Sequence, residues 1–126
     1  MISVEKAKTI HSILIEKFGG IDGIRNHDLL ESSLQRPFQT FDSIELYPEP
    51  FQKAAALIQS LLINHPFLDG NKRFGYVAMR LILMKFGYDI SANEDEKYTL
   101  VIKIAEGKLT VDENSVWIES HLIKTS

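Results

Sequence analysis

Apolar residues at the start of the chain recur at the three-to-four-residue spacing of one face of an α-helix. They are Val4, Ala7, Ile10, Leu14 and Phe18. Ser3 stands at the N-cap position and Gly19-Gly20 follows the last apolar residue, so the pattern predicts a helix over residues 4–18. A shorter helix is predicted from about residue 28 to residue 35, and Pro37 ends it.

The middle of the chain changes from an irregular segment to a strongly apolar helix. Residues 38–47 lack helical spacing and are rich in aromatic and β-branched residues, which predicts an extended loop or a small hairpin. Pro50 is suited to the first turn of a third helix. Because residues 51–63 are apolar on nearly every side, we expect this helix to be the central, buried one.

Three more helices are predicted in the second half of the chain. Two of them cover about residues 71–86 and 93–106, and each is ended by a glycine. Thr110 and Glu113 have capping-box spacing and open the last helix. The apolar residues of this last helix are Val116, Trp117, Ile118 and Leu122. The pattern predicts an all-α, compact bundle of about six helices with one short extended segment, a single domain over residues 1–126.

Composition and charge narrow the class of protein. A chain of 126 residues, 44% hydrophobic and 25% charged, has the length and make-up of one globular domain. Its formal net charge of −3 is not typical of a nucleic-acid or anionic-membrane surface, so neither direct DNA binding nor membrane association is expected. The absence of cysteine excludes disulfides, thiolate zinc sites and a thiol nucleophile. Charged residues begin at Glu5 and no stretch approaches a membrane span, so we expect a soluble cytoplasmic protein.

The segment from Asn64 to Arg73, between the third and fourth predicted helices, concentrates the residues suited to chemistry. Pro66 disfavours helical geometry at His65, so the third helix should end there and present the imidazole at its terminus. Histidine is suited to proton transfer near neutral pH, which makes His65 the candidate general base. Asp69, the only carboxylate in this segment, is a candidate ligand for a Mg²⁺ ion that is also bound to phosphate.

The turn that follows indicates an anion site. Asp69-Gly70-Asn71 leads directly into the fourth helix, and the backbone N–H groups of such a turn can converge on a phosphate. Lys72 and Arg73 would lie in the first helical turn, where the macrodipole disfavours cations unless a bound anion offsets it. Gly70, Asn71 and the two cations are therefore candidate nucleotide or phosphate ligands. A plain polar loop, with the imidazole as a helix cap and the cations in water, explains the same residues equally well.

This segment resembles the signature of the Fic family, His-x-Phe-x-(Asp/Glu)-Gly-Asn-Gly-Arg-x-x-Arg, and more closely its death-on-curing (Doc) branch, in which Asn-Lys-Arg follows the acid. The matching residues are His65, Phe67, Asp69, Gly70, Asn71 and Arg73. The likeness extends to the turn at residues 19–25, to residues 29–32 and 105–107, and to Trp117. It covers nearly the whole chain and implies a Fic-like helical bundle.

The resemblance implies a role for each matching residue. His65 would be the general base that takes a proton from a target hydroxyl, and Asp69 would bind Mg²⁺. The turn at Gly70-Asn71 and the side chain of Arg73 would hold phosphates. Phe67 matches a residue that packs into the core and has no part in the chemistry.

Two positions depart from the family signature. Lys72 replaces the second glycine, where its long side chain should obstruct the usual nucleotide pose, and Tyr76 replaces the final arginine. In the Doc branch the lysine accompanies ATP bound in a reversed orientation and transfer of its γ-phosphoryl group to a threonine of elongation factor Tu. The resemblance thus implies a toxin that uses Mg-ATP to phosphorylate this factor and block translation. Arg80 is a weak substitute for the missing arginine, and a surface role suits it better.

The resemblance also implies partners. Many Fic proteins inhibit themselves with a helix carrying (Ser/Thr)-x-x-x-Glu-(Gly/Asn), a pattern that neither Glu106-Gly107 nor Glu113-Asn114 completes. Inhibition by a separate, cognate antitoxin is therefore expected. Residues 40–46 stand where the family has a flap that aligns the target peptide by strand addition, although a plain connecting loop fits them as well.

Other functions fit parts of the sequence. A Fic-type nucleotidyl transferase would attach the nucleotidyl portion of ATP to the hydroxyl, and a non-catalytic co-repressor would only bind a partner. A helix-turn-helix DNA reader is the weakest alternative, because the chain is acidic and Lys72-Arg73 is the only basic pair at the start of a candidate recognition helix. His11, His27 and His121 show no metal-ligand spacing, so surface or capping roles are expected for them.

Overall fold

The structure, a computed structural model, describes residues 1–125. This part of the chain forms six α-helices and four short strands. The helices are α1 (Val4–Phe18), α2 (His27–Gln35), α3 (Pro50–Asn64), α4 (Asn71–Lys85), α5 (Glu94–Ala105) and α6 (Val111–Ser120). The strands are β1 (Thr40–Phe41), β2 (Ile44–Glu45), β3 (Tyr88–Ile90) and β4 (Leu122–Lys124), and a 3₁₀ turn covers Arg36–Phe38. The prediction of an all-α bundle of about six helices is confirmed.

Helix α3 lies at the centre of the bundle, as its sequence predicts. It packs against α2, α4, α5 and α6 and buries the continuous run of residues 54–58 together with Leu61 and Leu62. Removing a Leu or Ile side chain of this size from water stabilises a fold by about 1.5–3 kcal/mol. Pro50 occupies the first turn and Glu49 forms a capping box with Gln52, so the helix begins where its sequence indicates.

The packing of α4 on α3 brings the two ends of the chemistry-bearing segment together. At Gly75 of α4, a Cβ would lie 2.9 Å from Cδ2 of Leu62, so only glycine permits this separation of the helices. Phe74, Ala78, Met79 and Leu83 of α4 are fully buried against the core. The connection between α3 and α4 is therefore a short loop held between two rigid helices.

Capping residues mark the helix ends where the sequence predicts them. The side chain of Ser3 accepts from Lys6 N at the start of α1, and capping boxes open α5 at Asn93 and α6 at Thr110. The last helix is shorter than predicted, because it ends at Ser120 and Leu122 belongs to β4.

Within residues 1–125, no helix has the length and apolar content needed to cross a bilayer.

The irregular segment after α2 forms a small hairpin, which is one of the two structures that its sequence predicts. Strands β1 and β2 pair antiparallel, with Thr40 opposite Glu45 and Phe41 opposite Ile44. Asp42 and Ser43 at the tip both have positive φ, the geometry of a type I′ turn. The strand residues are exposed, so the hairpin projects from the bundle.

A second strand pair, β3 with β4, was not predicted. Tyr88 pairs with Lys124 and Ile90 with Leu122, which ties the end of α4 to the end of the described chain. Each strand has three residues, too few to show the alternation by which strands are recognised in a sequence. The pairing also joins residues more than thirty positions apart, so local pattern does not reveal it.

Candidate active site

The loop between α3 and α4 begins with a histidine in an unusual backbone conformation. His65 has φ 47° and ψ 59°, in the left-handed region, and its N–H donates to Leu61 O as the C-cap of α3. Pro66 follows it and disfavours the right-handed helical region at His65, which accounts for the end of the helix. The predicted presentation of the imidazole from a helix terminus is confirmed, since His65 is exposed.

An open cleft of about 410 Å³ lies in front of this loop and the first turn of α4. Its lining residues are His65, Leu68, Asp69, Gly70, Asn71, Lys72 and Arg73. The fold thus brings the candidate base, the candidate metal ligand and the four candidate phosphate ligands to one cavity, which we call the catalytic cleft. Leu68 is the one lining residue to which the sequence assigned no role.

The N-terminus of α4 faces the catalytic cleft without a side-chain cap. Gly70 occupies the N-cap position with φ 73°, and its carbonyl accepts from Phe74 N. The first N–H groups of a helix have no partner inside the helix, and a glycine N-cap provides none. These donors and the helix dipole are suited to a phosphate.

Asn71 holds the loop in shape through its side chain. Its Oδ1 accepts from Phe67 N at 3.0 Å and its Nδ2 donates to Phe67 O at 3.1 Å. Both ends of the amide are therefore occupied, and what Asn71 offers a ligand is its backbone N–H at the helix start. Phe67 itself is fully buried, in agreement with its predicted core role.

The carboxylate of Asp69 is held in place by backbone donors. Its Oδ2 accepts from Ile21 N at 3.2 Å and its Oδ1 from Gly70 N at 2.8 Å. A Cβ at Gly20 would lie 2.9 Å from Asp69 Oδ2, so this approach requires glycine, which also has φ 119°. Each oxygen keeps a further lone pair for a cation. Within residues 1–125 no group of three or more His, Asp or Glu residues is placed to hold a metal, so a Mg²⁺ ion here would take its other ligands from phosphate and water.

Lys72 and Arg73 make the rim of the catalytic cleft cationic. Both are exposed and lie in the first turn of α4, where the sequence places them. The Arg73 guanidinium stacks over the Phe18 ring at 4.2 Å, which fixes its direction without neutralising it. In the described part of the chain neither cation pairs with a carboxylate, so both charges are available to an anionic ligand.

His11 has a structural role that the sequence analysis missed, and the expected surface or capping role is wrong for this residue. It is 1% exposed, and its Nε2 donates to Asp69 O at 2.7 Å. Its ring stacks on Phe67 with a centroid separation of 3.8 Å. His11 lies four residues after Ala7 and three before Leu14, on the buried face of α1, and this spacing was the available signal. His27 is exposed and His121 caps α6 through Trp117 O, as expected.

Arg25 is a second positioning residue for which the sequence had assigned no role. Its Nε donates to His65 O at 2.6 Å and its Nη2 to Asn64 O at 2.5 Å. The N–H groups of Arg25 and Asn26 both donate to Pro66 O, and Leu68 N donates to Gly23 O. The glycine-rich turn at residues 19–26 therefore fixes the loop between α3 and α4 through backbone hydrogen bonds.

A second, more apolar cleft of about 310 Å³ borders the first and shares Lys72 and Arg73 with it. Its other lining residues are Tyr76, Val77, Glu94, Lys97, Tyr98, Val101 and Ile102. Burial raises the pKa of Tyr76 to about 12, and its hydroxyl has no hydrogen-bond partner within residues 1–125. Tyr76 therefore lines this neighbouring cleft and keeps its proton.

Arg80 forms a bidentate ion pair outside the catalytic cleft. Its Nε and Nη2 donate to the two carboxylate oxygens of Asp89, each at 2.9 Å. Because of this bidentate pair the pKa of Asp89 is lowered and that of Arg80 is raised. The guanidinium of Arg80 is therefore engaged by Asp89 of β3, and the preference for a surface role over a catalytic one stays a prediction.

The sequence of the chain is similar to a known protein family and to two described proteins. The sequence model described as Fic/DOC family matches residues 1–83. A protein of Mycolicibacterium smegmatis described as Toxin Doc is 40% identical over 78 residues, which cover 62% of this chain and 60% of that protein. A Fido domain-containing protein of Dictyostelium discoideum is 36% identical over 61 residues, 45% of this chain and 42% of that protein. The chain thus aligns with less than two thirds of either relative's own length.

Proposed function

Because this chain belongs to the Fic/DOC family, we propose that it transfers a phosphate-containing group from Mg-ATP to a hydroxyl of a protein. The observation that carries the proposal is the convergence of six residues on one cleft: His65, Asp69, Gly70, Asn71, Lys72 and Arg73. A base, a carboxylate and an uncapped helix N-terminus beside two unpaired cations are the parts that phosphoryl transfer requires.

The arrangement supplies each part of the reaction. The imidazole of His65 takes the proton of the hydroxyl as the hydroxyl oxygen attacks phosphorus. The bond from phosphorus to the leaving phosphate oxygen breaks, and in the transfer of the γ-phosphoryl group ADP is released. Lys72, Arg73 and the N–H groups at the start of α4 hold and neutralise the phosphates. Asp69 would bind Mg²⁺, which when present offsets further negative charge on the phosphates.

Lys72 favours phosphoryl transfer over nucleotidyl transfer. It stands where nucleotidyl-transferring members of the family have glycine, on the exposed rim of the catalytic cleft. A lysine there occupies space that a closely bound nucleotide would need and provides a point charge for a terminal phosphate. We therefore propose a Doc-like protein kinase whose acceptor is a threonine of elongation factor Tu.

A toxin that modifies a translation factor needs an inhibitor in its own cell. The relative from M. smegmatis is described as a toxin, and the self-inhibitory sequence pattern is absent here. We propose that a separate antitoxin inhibits this protein and that both act in the cytoplasm. A segment that folds on this domain would suit such control.

Intact-mass analysis of elongation factor Tu after incubation with the protein and Mg-ATP tests the proposal. The expected result is one phosphoryl-sized increment with wild type and none with His65→Ala. An increment of nucleotidyl size would replace the kinase with the alternative activity. If elongation factor Tu is unchanged, labelling of a whole lysate with γ- or α-labelled ATP decides whether another protein is the target, and no label in either arm would reject transferase activity.

Nucleotidyl transfer is the second candidate because of the apolar cleft beside the first. That cleft of about 310 Å³ has aromatic and aliphatic walls and shares both cations with the catalytic cleft, which suits a nucleobase whose phosphates lie at α4. If the nucleobase lies there, Val101→Glu should abolish transfer and ATP binding, whereas a nucleobase bound elsewhere would leave both nearly unchanged.

A non-catalytic partner-binding protein would instead keep its toxicity in the His65→Ala variant.

A further inference from the structure

A third cleft, of about 460 Å³, lies between the base of the β1–β2 hairpin and α3. Its lining residues are Ser32, Arg36, Gln39, Gln59, Ser60, Ile63 and Asn64. It shares no residue with the catalytic cleft, yet Asn64 directly precedes His65 in the chain. We call it the Arg36 cleft, because that residue is its one charged lining group.

Arg36 is held in position but lacks an anionic partner. Its Nη1 donates to Gln59 Oε1 at 2.8 Å and to Ser60 Oγ at 2.9 Å, and its guanidinium lies 5.9 Å from the Tyr47 ring centroid. Ser60 is itself buried, so the guanidinium is anchored to the wall of α3. Within residues 1–125 its Nε and Nη2 donate to no acceptor, and Arg36 forms no ion pair. A half-buried, oriented guanidinium with Nε and Nη2 free to donate is suited to a carboxylate.

The rest of the lining favours a side chain over a free nucleotide. No acidic residue of the described chain lines the cleft, so nothing there repels an anion. Apart from Arg36, the lining consists of neutral amides and hydroxyls with the exposed Ile63. The Arg36 cleft thus has one cation where the catalytic cleft has two. A single carboxylate on a short aliphatic stem matches this mixture better than several phosphates do.

The hairpin beside the cleft points to a polypeptide as the source of that carboxylate. Gln39 lines the cleft and leads directly into β1, so the cleft continues into an exposed strand. Phe41 and Ile44 on this hairpin are 71% and 70% exposed. Lys53 is 4% exposed and donates to Glu45 Oε1, Tyr47 O and Pro48 O, which fastens the base of the hairpin to α3. Exposed apolar side chains on an anchored hairpin are typical of a surface that binds another chain.

We propose that the Arg36 cleft receives an Asp or Glu side chain of the polypeptide that carries the acceptor hydroxyl. The inference rests on the proposed function, since it assumes a protein substrate at His65. Asn64 and His65 are neighbours, so the acidic residue lies within a few residues of the modified hydroxyl in the substrate. Arg36 then acts as a specificity residue that sets which hydroxyls are presented to the base.

The test uses arrays of immobilised threonine-centred peptides, with every residue type scanned at each flanking position. Wild type is applied once with labelled Mg-ATP, to score transfer, and once without nucleotide, to score binding. We expect Asp or Glu to be preferred at one fixed position by about tenfold to a hundredfold, the range for a charged hydrogen-bonded contact. Arg36→Glu should reverse the preference at that position toward Lys or Arg.

Matched variants separate recognition from folding and from charge. Lys8→Glu makes the same charge change at an exposed residue on α1 and should keep the acidic preference. Arg36→Lys keeps the charge but loses the planar guanidinium that forms two parallel hydrogen bonds, so the preference for Asp or Glu should weaken without reversing. Thermal melts show whether each variant is folded. If Arg36→Glu does not fold, the weakened acidic preference of Arg36→Lys serves as the test.

The outcomes distinguish failure of this site from failure of the proposed function. Selective binding of acidic peptides without transfer to any peptide would contradict the transferase and support the Arg36 cleft. Transfer or binding with no acidic preference would overturn the cleft while leaving the transferase in place. If inorganic phosphate or ATP displaces acidic peptides from wild type through Arg36, the cleft takes a free anion and the proposal is wrong.

Discussion

At the scale of single residues, His65 combines a left-handed backbone conformation with the proposed role of general base. Its left-handed geometry turns the chain out of α3, and Arg25 fixes the turn by donating to its carbonyl. In this conformation an ordinary L-residue is strained by roughly 1–2 kcal/mol, whereas Asn is among the best tolerated. Mutations at His65 therefore change both stability and catalysis unless the replacement also suits this conformation.

Replacing His65 with Asn separates the two effects. We expect His65→Asn to lower the transfer rate by about 10²- to 10⁴-fold, the contribution typical of a positioned general base, while its melting temperature stays near that of wild type. His65→Ala should lose the same activity and some stability as well. Single-turnover labelling and thermal melts measure the two quantities, and a His65→Asn enzyme with near wild-type rates would refute the role of base.

His11 contributes to the position of Asp69 by donating to its backbone carbonyl, although His11 does not line the catalytic cleft. Replacing it with Phe keeps the stacking on Phe67 but removes the donor to Asp69 O. We expect His11→Phe to destabilise the fold by about 0.5–1.5 kcal/mol, the net contribution of a typical hydrogen bond, because this bond is only partly buried, and to weaken transfer. Urea unfolding measures the first effect and labelling the second.

His27→Phe is the matched control, because His27 is exposed and has no such contact. It should change stability by less than about 0.5 kcal/mol. Equal effects of the two substitutions would mean that the hydrogen bond from His11 to Asp69 contributes nothing.

At the scale of elements, α5, α6 and β4 are joined by a pH-sensitive contact. His121 donates from Nδ1 to Trp117 O at 2.7 Å and from Nε2 to Glu96 Oε2 at 2.8 Å. Because both ring nitrogens face acceptors, the protonated imidazole is favoured and the pKa of His121 rises above 6.5. The backbone N–H of Asn93 and then His121 lower the pKa of Glu96 below 4.5.

The directions of these shifts set a pH window for stability. The raised pKa of His121 gives a contribution that is complete below pH 6.5 and is lost as pH rises through the folded-state value. The lowered pKa of Glu96 gives a contribution present above pH 4.5 and lost in acid. The contact is therefore most stabilising between these limits.

His121→Gln tests this window through the difference in melting temperature from wild type. The variant should melt below wild type at about pH 6, and the difference should shrink toward pH 9 as the wild-type imidazole loses its proton. Arg80→Gln, which breaks a separate ion pair with Asp89, should show no such decrease over this range. A His121→Gln difference that is constant with pH would contradict the assignment.

At the scale of the whole molecule, a chain of net charge −3 presents two unpaired cations and a helix N-terminus at one cleft. A ligand that binds only the folded state stabilises it by mass action, by about 2.7 kcal/mol at a hundred times its dissociation constant. Nucleotide binding should therefore be visible in the melting temperature before any target protein is known.

We expect the melting temperature of wild type to rise with the logarithm of Mg-ATP concentration. Arg73→Gln should lose most of that rise, because it removes a phosphate ligand, whereas Lys8→Gln on α1 should keep it. A thermal-shift titration with both variants makes the measurement. An equal rise in all three proteins would show that ATP binds elsewhere.

Much of the catalytic cleft was accessible from the sequence because its residues are contiguous. His65 to Arg73 lie in one loop and the first helical turn after it, so spacing alone indicated that they share a surface. Proline and glycine chemistry fixed where α3 ends and α4 begins. The spacing is equally compatible with a plain polar loop and with an anion site, and the open cleft with its two unpaired cations supports our proposal of an anion site.

The contacts that support the site could not be predicted from local pattern, although the spacing of His11 indicates that it is buried. His11 reaches Asp69 across 58 positions, and Arg25 reaches His65 across 40. The Arg36 cleft likewise joins the base of the hairpin to the far end of α3. Such contacts arise only when packing brings separate elements together, and no periodicity encodes them.

Local sequence was enough to predict the helices and to place the candidate site residues in one segment, because caps, apolar spacing and turn residues act within a few positions of each other. Tertiary packing was needed to establish the β3–β4 pair, the hydrogen bond from His11 to Asp69 O, the ion pair of Arg80 with Asp89 and the hydrogen bonds of Arg36 to Gln59 and Ser60. Each of these depends on which distant group is the nearest partner. That choice is made by the packing of α2, α4, α5 and α6 on α3 and of α1 on α2 and α4, which is driven by burial of apolar surface.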